Sequence, residues 1–209
     1  MRALVCHKIT DDLSGVAVRD VDRPAPGDGD VLIKVHATSI NFPDILLCQG
    51  KYQLKLEPPF TPGMDVAGTI EAVGANVEGF SVGDAVCGGA RFGGFAEYAL
   101  LQADGLQHKP DRLSFEEAAS YSAAYLTAYV SLVRRGRLQA GETLLVHGAS
   151  GGVGMAAVNG AAVAGAGRII AVDTNPAKLQ TAAMIGATDL INPNDYDPVE
   201  QIKSVDVDG

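Results

Sequence analysis

The stretch Thr143-Leu-Leu-Val-His-Gly-Ala-Ser-Gly-Gly-Val-Gly154 decides how the second half of the chain folds. It reads as a short apolar strand, a turn of small residues and the start of a helix. Glycines in such a turn let the backbone approach a pyrophosphate closely, and the helix points free N–H groups and its positive dipole end at the phosphates. The stretch therefore predicts a dinucleotide-binding turn, with a tight connection that binds nothing as the alternative.

The glycine pattern assigns roles to positions within this turn. Ala149 stands where the first glycine of G-x-G-x-x-G would be, and Gly148 beside it can still ease the turn. The two later glycines of the pattern serve close phosphate approach and the packing of the helix on the strand. We expect a bound cofactor to contact five consecutive residues of the turn: Ser150, Gly151, Gly152, Val153 and Gly154.

An acidic residue, Asp173, ends the next apolar run, residues 168–173. A carboxylate about twenty residues beyond the turn can accept hydrogen bonds from both ribose hydroxyls and repels a 2′-phosphate, so Asp173 favours NAD over NADP. The alternative is a solvated acid at a strand end. Lys178, in the helix that follows, is a candidate phosphate contact or an ordinary surface lysine.

Bulk properties narrow the class of protein. The chain has 209 residues, 47% of them hydrophobic, which suits one large domain or two small ones. The net charge of −9 is scattered and no basic patch stands out, which argues against nucleic acid as a partner. No apolar run is long enough to cross a membrane. Three widely spaced cysteines favour a reduced, cytoplasmic setting.

The first half of the chain is predicted to be β-rich. Its short β-type runs are separated by Pro, Gly and Asp turns, which is typical of a small barrel or sandwich. A capping box formed by Ser114 and Glu117 then opens a helical stretch over residues 115–135, either continuous or interrupted near its middle. The predicted strands are residues 3–6, 15–19, 31–36, 67–73, 85–87 and 95–101.

Beyond this helix, strands alternate with helices, which predicts parallel strands joined by right-handed crossovers. We place the domain boundary so that residues 1–118 form a β domain and residues 119–209 the first half of a dinucleotide fold. The first strand of that partial sheet would have an unpaired edge, as in a fragment of a longer protein, unless something covers it. The predicted strands are 143–147, 168–173 and 189–192, and the helices 152–164, 176–185 and one starting at 198.

Several stretches, taken in order, resemble the medium-chain dehydrogenase/reductases and, within them, the zinc-independent quinone oxidoreductases. The resemblance implies an α/β plus β fold, namely a GroES-like β-barrel domain followed by a Rossmann domain, with the active site in the cleft between them. It also implies NAD(P)H-dependent reduction of a quinone or an α,β-unsaturated carbonyl by direct hydride transfer. The matching stretches are residues 39–44, 49–52, 59–63, 65–68, 73–74, 82–84, 93–98, 125–129 and 151–154.

The same resemblance assigns further roles. Asn41 and Tyr52 match residues that line the catalytic cleft, and Thr127 matches a cofactor-side contact. The alternatives are an ordinary half-buried aromatic for Tyr52 and a helix residue bonding back to its own turn for Thr127. This branch often prefers NADPH, in contrast to the preference for NAD that Asp173 indicates. Relatives form dimers through the edge of the nucleotide-binding sheet, so a homodimer is possible if that edge exists.

The zinc alcohol dehydrogenases of this family carry Cys-His where this chain has Asn41-Phe42, and Gly-His-Glu where it has Gly63-Met64-Asp65. Zinc requires thiolate or imidazole ligands in tetrahedral array, which Asn41 and Met64 cannot supply, so we predict no metal. After Gly154, residues 157–160, 165–178 and 186–193 resemble the alcohol dehydrogenase branch instead. This mosaic leaves two alternatives: a truncated or mosaic fragment that binds NAD(P) weakly without turnover, and an alcohol dehydrogenase, which the missing zinc ligands disfavour.

Overall fold

A computed structural model describes residues 1–195 and 197–204 of the chain. The chain divides into two compact units, one spanning Met1–Ala123 and the other starting at Ala124. The end of the predicted second domain, residues 205–209, lies outside the described residues. No helix in the described part combines the length and the apolar character needed to cross a membrane.

The first unit is built on short strands, as the sequence predicts, and the structure shows that they pair antiparallel. Arg2–Cys6 (β1) and Val16–Asp20 (β2) form a two-stranded ribbon. Five more strands form a second antiparallel sheet, and the last of them, Leu106–His108, is a short strand that the sequence did not predict. These strands are β3 (Asp30–Ala37), β4 (Asp65–Val73), β5 (Ala85–Gly89), β6 (Tyr98–Gln102) and β7 (Leu106–His108), in the spatial order β6-β3-β4-β5-β7.

The ribbon is attached to the rest of this unit by backbone hydrogen bonds. Leu4 N–H donates to Phe95 O and Cys6 N–H donates to Phe60 O, both at 2.8 Å. One face of the five-stranded sheet packs into a core of buried aliphatic side chains. The buried members of this core are Val31, Ile33, Val66, Ile70, Val86, Ala99, Leu101 and Leu106.

A short helix that the sequence did not predict, α1, spans Phe42–Cys48. Asn41 is its N-cap, Pro43 lies in its first turn, and Asp44 accepts a hydrogen bond from Asn41 N–H at 2.8 Å. An N-cap residue followed by proline and an acid is a helix-start signal. The helix has seven residues, so its apolar period is too short to recognise by itself.

The helical stretch predicted over residues 115–135 is interrupted. It consists of α2 (Phe115–Ala119), α3 (Ser122–Tyr129) and a π-helical segment, Val130–Arg135. The predicted capping box is present at the start of α2, where Glu117 N–H donates to Ser114 Oγ at 3.1 Å and Ser114 N–H donates to Glu117 Oε2 at 2.8 Å. The division between the two units falls within α3.

The second unit has the predicted alternation of strands and helices around a parallel sheet in the order β10-β9-β8. Within residues 1–195 and 197–204, β8 pairs with a strand on one side only, as the sequence predicts. The elements are β8 (Thr143–His147), α4 (Gly152–Val163), β9 (Arg168–Val172), α5 (Pro176–Met184), β10 (Asp189–Ile191) and α6 (Pro198–Ser204).

The central strand β9 is buried on both of its faces, as expected for a parallel strand. Ile169 packs with Val146, Val158 and Leu179 on one face, where the helices α4 and α5 contribute to the core. Ile170 packs on the opposite face. The carboxyl ends of β8 and β9 are thereby held at one edge of the sheet, where the glycine turn begins.

A substitution at Ile169 tests how much β9 contributes to the stability of the second unit. Because its side chain is 1% exposed, Ile169→Ala is expected to lower the free energy of unfolding by about 2–5 kcal/mol. Val163→Ala is the control, since Val163 is 83% exposed and its loss should change stability by about 0.5 kcal/mol or less. Urea unfolding measures both. Equal effects of the two substitutions would contradict the packing described.

Candidate functional site

The glycine turn has the local geometry that the sequence predicts. Gly148, directly after β8, has a φ of +65°, a left-handed conformation that favours glycine. Ala149 N–H donates to Val172 O at 3.1 Å, which ties the turn to the end of β9. Gly151 N–H donates to Gly148 O at 3.0 Å, and Gly151 is the N-cap of α4. The turn is therefore closed by its own backbone and leads directly into a helix.

Two glycines of the turn have opposite surroundings. A Cβ atom on Gly154 would lie 2.2 Å from Gly148 O, so the start of α4 packs directly on the turn backbone. A Cβ atom on Gly152 would meet nothing within 4 Å, and Gly151, Gly152 and Val153 are all exposed. The positive end of a twelve-residue helix therefore opens onto free space.

The Asp173 carboxylate is hydrogen-bonded to the backbone of the turn. Its Oδ2 accepts a hydrogen bond from Ser150 N–H at 2.9 Å, and its Oδ1 accepts one from Asn175 N–H at 3.1 Å. The Ser150 hydrogen bond is the main reason why the pKa of Asp173 lies below its ordinary value. A carboxylate has about four acceptor positions, so Asp173 can hold the turn and still accept ribose hydroxyls. The sequence indicated the second role and missed the first.

The Ser150 hydroxyl is buried without a hydrogen-bond partner of good geometry among the described residues. It nevertheless lies close enough to Asp173 to help lower the pKa of that carboxyl group. A buried hydroxyl of this kind usually has an acceptor or donor that completes its bonding. Together with the open space at Gly152 and the helix N-terminus, it fits a group that brings phosphate oxygens to this edge.

Two further predicted cofactor contacts lie in helices of the same unit. Lys178 is exposed in the first turn of α5, and its backbone N–H donates to Asn175 Oδ1 at 3.1 Å. Thr127 is exposed on α3, and its carbonyl oxygen accepts a hydrogen bond from Ser131 Oγ at 2.8 Å. No hydrogen bond of the Thr127 hydroxyl to its own turn is found in the described part of the chain. The cofactor roles of both residues stay predictions.

In the first unit, the side chain of Asn41 belongs to a partly buried polar network centred on the buried Asp65. Asn41 Nδ2 donates to Ser39 Oγ at 3.0 Å and to Asp65 Oδ2 at 2.9 Å. Ser39 Oγ donates to the same Asp65 oxygen at 2.7 Å, and Ala123 N–H donates to Asp65 Oδ1 at 3.0 Å. Asp65 is 1% exposed, so all three of these donors satisfy a carboxyl group that water does not reach.

A second buried carboxyl group, Asp44, fixes the backbone of Asn41. Asp44 is buried in the first turn of α1 and accepts hydrogen bonds from Asn41 N–H and from Gly63 N–H, the latter at 3.1 Å. Burial raises the pKa of Asp44 above its ordinary value, although these hydrogen bonds oppose the shift. The sequence alone assigned no role to Asp44 or to Asp65. The signal for Asp44 was its place three residues after the N-cap Asn41.

Tyr52 is half-buried beside a pocket of about 330 Å³. Met64 lines the same pocket and directly precedes Asp65, so the pocket and the polar network share one segment of the chain. Leu54 and Ala90 are apolar lining residues, and Tyr52 and Arg91 are lining residues with polar groups in their side chains. The pocket is lined by Tyr52, Gln53, Leu54, Met64, Ala90 and Arg91.

The donor set of this unit does not fit zinc. Asn41 is bound into the network and Met64 lies in the pocket, so the two positions carry an amide and a thioether instead of a thiolate and an imidazole. Burial and the neighbouring Cys6 raise the pKa of the Cys48 thiol to about 12, which disfavours a thiolate ligand. No three His, Cys, Asp or Glu side chains form a metal-binding cluster within residues 1–195 and 197–204.

Comparison with known proteins gives two matches to family models. Residues 27–111 match the alcohol dehydrogenase GroES-like domain, and residues 152–207 match the zinc-binding dehydrogenase model. Human quinone oxidoreductase is 39% identical over 88% of this chain and 56% of that protein. The chain spans about half the length of the curated relatives it matches.

Solved structures match across nearly the whole chain. A probable oxidoreductase from Mycobacterium abscessus has a TM-score of 0.89 and 33% identity, covering 98% of this chain and 65% of that one. Escherichia coli quinone oxidoreductase complexed with NADPH has a TM-score of 0.89 and 28% identity. The match covers 98% of this chain and 62% of that one.

The GroES-like unit, the parallel sheet and the glycine turn define a two-domain dehydrogenase/reductase fold, and the chain belongs to the medium-chain dehydrogenase/reductase superfamily. Within that superfamily it belongs to the quinone oxidoreductase-like branch. Both the predicted fold class and the predicted family are thereby confirmed. Within the described residues, the second unit contains three strands of a Rossmann sheet.

Two glycines of α4 provide a matched test of the turn. Gly154→Ala forces a Cβ atom against Gly148 O and is expected to lower the free energy of unfolding by about 1–3 kcal/mol. Gly160→Ala meets nothing within 4 Å in the same helix and should raise it by about 0.5–1 kcal/mol. Urea unfolding of both variants measures the difference. A neutral or stabilising Gly154→Ala would contradict the close packing of the helix on the turn.

Proposed function

We propose that this chain is part of a zinc-independent, NAD(P)H-dependent oxidoreductase that reduces quinones or α,β-unsaturated carbonyl compounds by direct hydride transfer. The observation that carries the proposal is the glycine turn, with an open helix N-terminus and an ionised Asp173 bound to it. The relatives support it as well, because the human one is named quinone oxidoreductase and the E. coli structure contains NADPH.

In this proposal the protein binds and orients the cofactor and the substrate, and it excludes water from them. The nicotinamide supplies the hydride when it is bound. The N-terminus of α4 and the Ser150 hydroxyl hold the phosphates, and Asp173 accepts the ribose hydroxyls. The pocket beside Tyr52 takes the small carbonyl or quinone substrate against its apolar walls. Reduction of a quinone requires no strong general acid from the protein, because the hydroquinone anion can take its proton from water.

The proposed cofactor preference is for NAD(H). A 2′-phosphate brought close to Asp173 would meet a carboxylate whose lowered pKa keeps it ionised at neutral pH. The E. coli structure contains NADPH instead. Lys178, exposed a few residues further on, is the neighbouring group that could offset the repulsion.

A titration with NADH and NADPH tests both the turn and the acid. Wild type is expected to bind NADH at least about tenfold more tightly than NADPH, since an unfavourable charge contact of about 1.4 kcal/mol gives that ratio. Asp173→Asn removes the charge but keeps an acceptor for the turn, so the ratio should fall towards one. Asp111→Asn removes the same charge at an exposed turn of the first unit and should leave the ratio unchanged. Equal or tighter binding of NADPH by wild type would reject the assigned role of Asp173.

The absence of zinc is part of the proposal, since the chain offers Asn41 and Met64 where thiolate and imidazole would be needed. NADH-dependent reduction of a small quinone should therefore continue unchanged after treatment with a strong chelator. Metal analysis of the purified protein should find far less than one zinc per chain. Complete loss of activity under chelation, restored by added zinc, would show that this part of the proposal is wrong.

A second candidate function is nucleotide binding without turnover. The edge of β8, which pairs with β9 alone within the described residues, favours it. The two candidates are distinguished by single-turnover measurements on the isolated chain, since weak NADH binding with no oxidation of NADH by a quinone supports the second one. A homodimer that pairs through the sheet edge stays a prediction.

A further inference from the structure

The pocket beside Tyr52 lies within the first unit, and one of its lining residues, Arg91, is cationic. None of the described residues that line this pocket is acidic. Ala90 and Arg91 also line a second cavity of the same unit, of about 640 Å³. Arg91 is therefore shared between the two cavities, and it is the cation that a molecule bound at either one would meet.

The backbone on both sides of Arg91 is held to the segment that contains Met64. Ala90 N–H donates to Met64 O at 2.6 Å, and Gly93 N–H donates to Thr61 O at 2.8 Å. Two backbone hydrogen bonds thus fix the position from which the Arg91 side chain starts, while that side chain itself is exposed. A fixed starting position reduces the entropy that is lost when the side chain binds a ligand.

Arg91 differs from the two lysines that are closest to the pocket in the sequence. Lys51 forms an ion pair with Asp11 at 2.9 Å, and Lys55 Nζ donates to Gly50 O at 2.6 Å. The Arg91 side chain forms no hydrogen bond or ion pair with any residue that the structure describes. A guanidinium has five N–H donors and no acceptor, so these donors are available to a ligand.

The charges around the two cavities indicate on which side of Arg91 an anion would bind. Asp30 and Asp104 line the second cavity, where they would repel an anion. They do not line the pocket beside Tyr52. The chain as a whole carries a net charge of −9, so a negatively charged molecule needs a local cation to bind. Arg91 supplies that cation at the pocket beside Tyr52.

We propose that Arg91 is a specificity-determining residue that binds a carboxylate group carried by the quinone or enone substrate. This inference rests on the proposed function and names its substrate class, an unsaturated carbonyl compound with a carboxylate substituent. Two N–H groups of a guanidinium match the two oxygens of a carboxylate. The apolar lining residues Leu54, Met64 and Ala90 suit the carbon skeleton of such a molecule.

The first test measures binding without nucleotide and without turnover. Its probes are 2-naphthoate and 2-naphthamide, which have nearly the same shape and differ in charge. Wild type is expected to bind 2-naphthoate about three- to fivefold more tightly at low ionic strength, as an exposed ion pair allows. Arg91→Gln should remove this preference and Arg91→Lys should restore part of it. Isothermal titration calorimetry measures the affinities, and the NMR signal of the Met64 methyl group reports the place of binding.

Arg112→Gln is the matched control for the binding test. Arg112 is an exposed arginine of the same unit that lines neither cavity, so its loss should leave the preference for 2-naphthoate intact. About 0.5 M NaCl should weaken the preference in wild type, because salt screens exposed charges. Equal affinity for the two probes in wild type, no binding of 2-naphthoate at millimolar concentration, or an unchanged preference in Arg91→Gln would overturn the inference.

The second test measures NADH-dependent reduction of 1,4-naphthoquinone-2-carboxylate and of its neutral carboxamide. Arg91→Gln is expected to lower the ratio of kcat/KM for the carboxylate to that for the carboxamide by about three- to fivefold, through a higher KM for the carboxylate. Arg112→Gln should leave this ratio unchanged. An equal fall in kcat for both quinones would contradict the proposal, because it would show that Arg91 acts on the reacting oxygen.

The two tests separate this inference from the proposed function. Turnover of both quinones with no preference for the carboxylate would reject the role of Arg91 and leave the oxidoreductase proposal standing. Binding of 2-naphthoate that depends on Arg91, with no oxidation of NADH by either quinone, would support the carboxylate site and reject the proposed function.

Discussion

The hydrogen bond from Ser150 N–H to the Asp173 carboxylate is the interaction on which the candidate nucleotide site depends. It joins the end of β9 to the turn that follows β8, and Ala149 N–H adds a second link to Val172 O. Gly154 then allows α4 to pack directly on the turn, which fixes the direction in which the helix dipole points. Asp173 therefore stabilises the turn even when no ligand is bound.

In the first unit a carboxylate also holds a neighbouring group, but here the carboxylate is buried. The Asp65 carboxylate is removed from water and satisfied by three donors, which is costly unless each donor is in place. A hydrophobic residue would serve the packing without this requirement. What the acid adds is position, because it holds the side chains of Ser39 and Asn41 in place. In both units a carboxylate thus holds a neighbouring group in place: a backbone turn in one, an amide in the other.

The sequence predicted the parts of the fold that depend on period and on local signals. The parallel strands, the crossover helices and the Ser114 capping box follow from apolar spacing and caps, and the structure confirms them. The short helix α1 and the strand β7 were missed because seven and three residues hold too few apolar repeats. The predicted residues Ser150–Gly154 and Asp173 could be found because they lie in one local pattern. The role of Asp65 could not, since its partners Ser39, Asn41 and Ala123 come together only in the folded chain.

The central claim is that the turn at residues 148–154 binds the diphosphate of a dinucleotide. Titrating 15N-labelled protein with ADP-ribose, which carries the diphosphate and the adenosine but no nicotinamide, tests it most directly. The account predicts saturable shifts of the backbone amide signals of Ser150, Gly152 and Gly154, with Asp173 and Asn175 following at the same ligand concentration. Unchanged signals at these residues at millimolar ADP-ribose, in protein that is demonstrably folded, would contradict it.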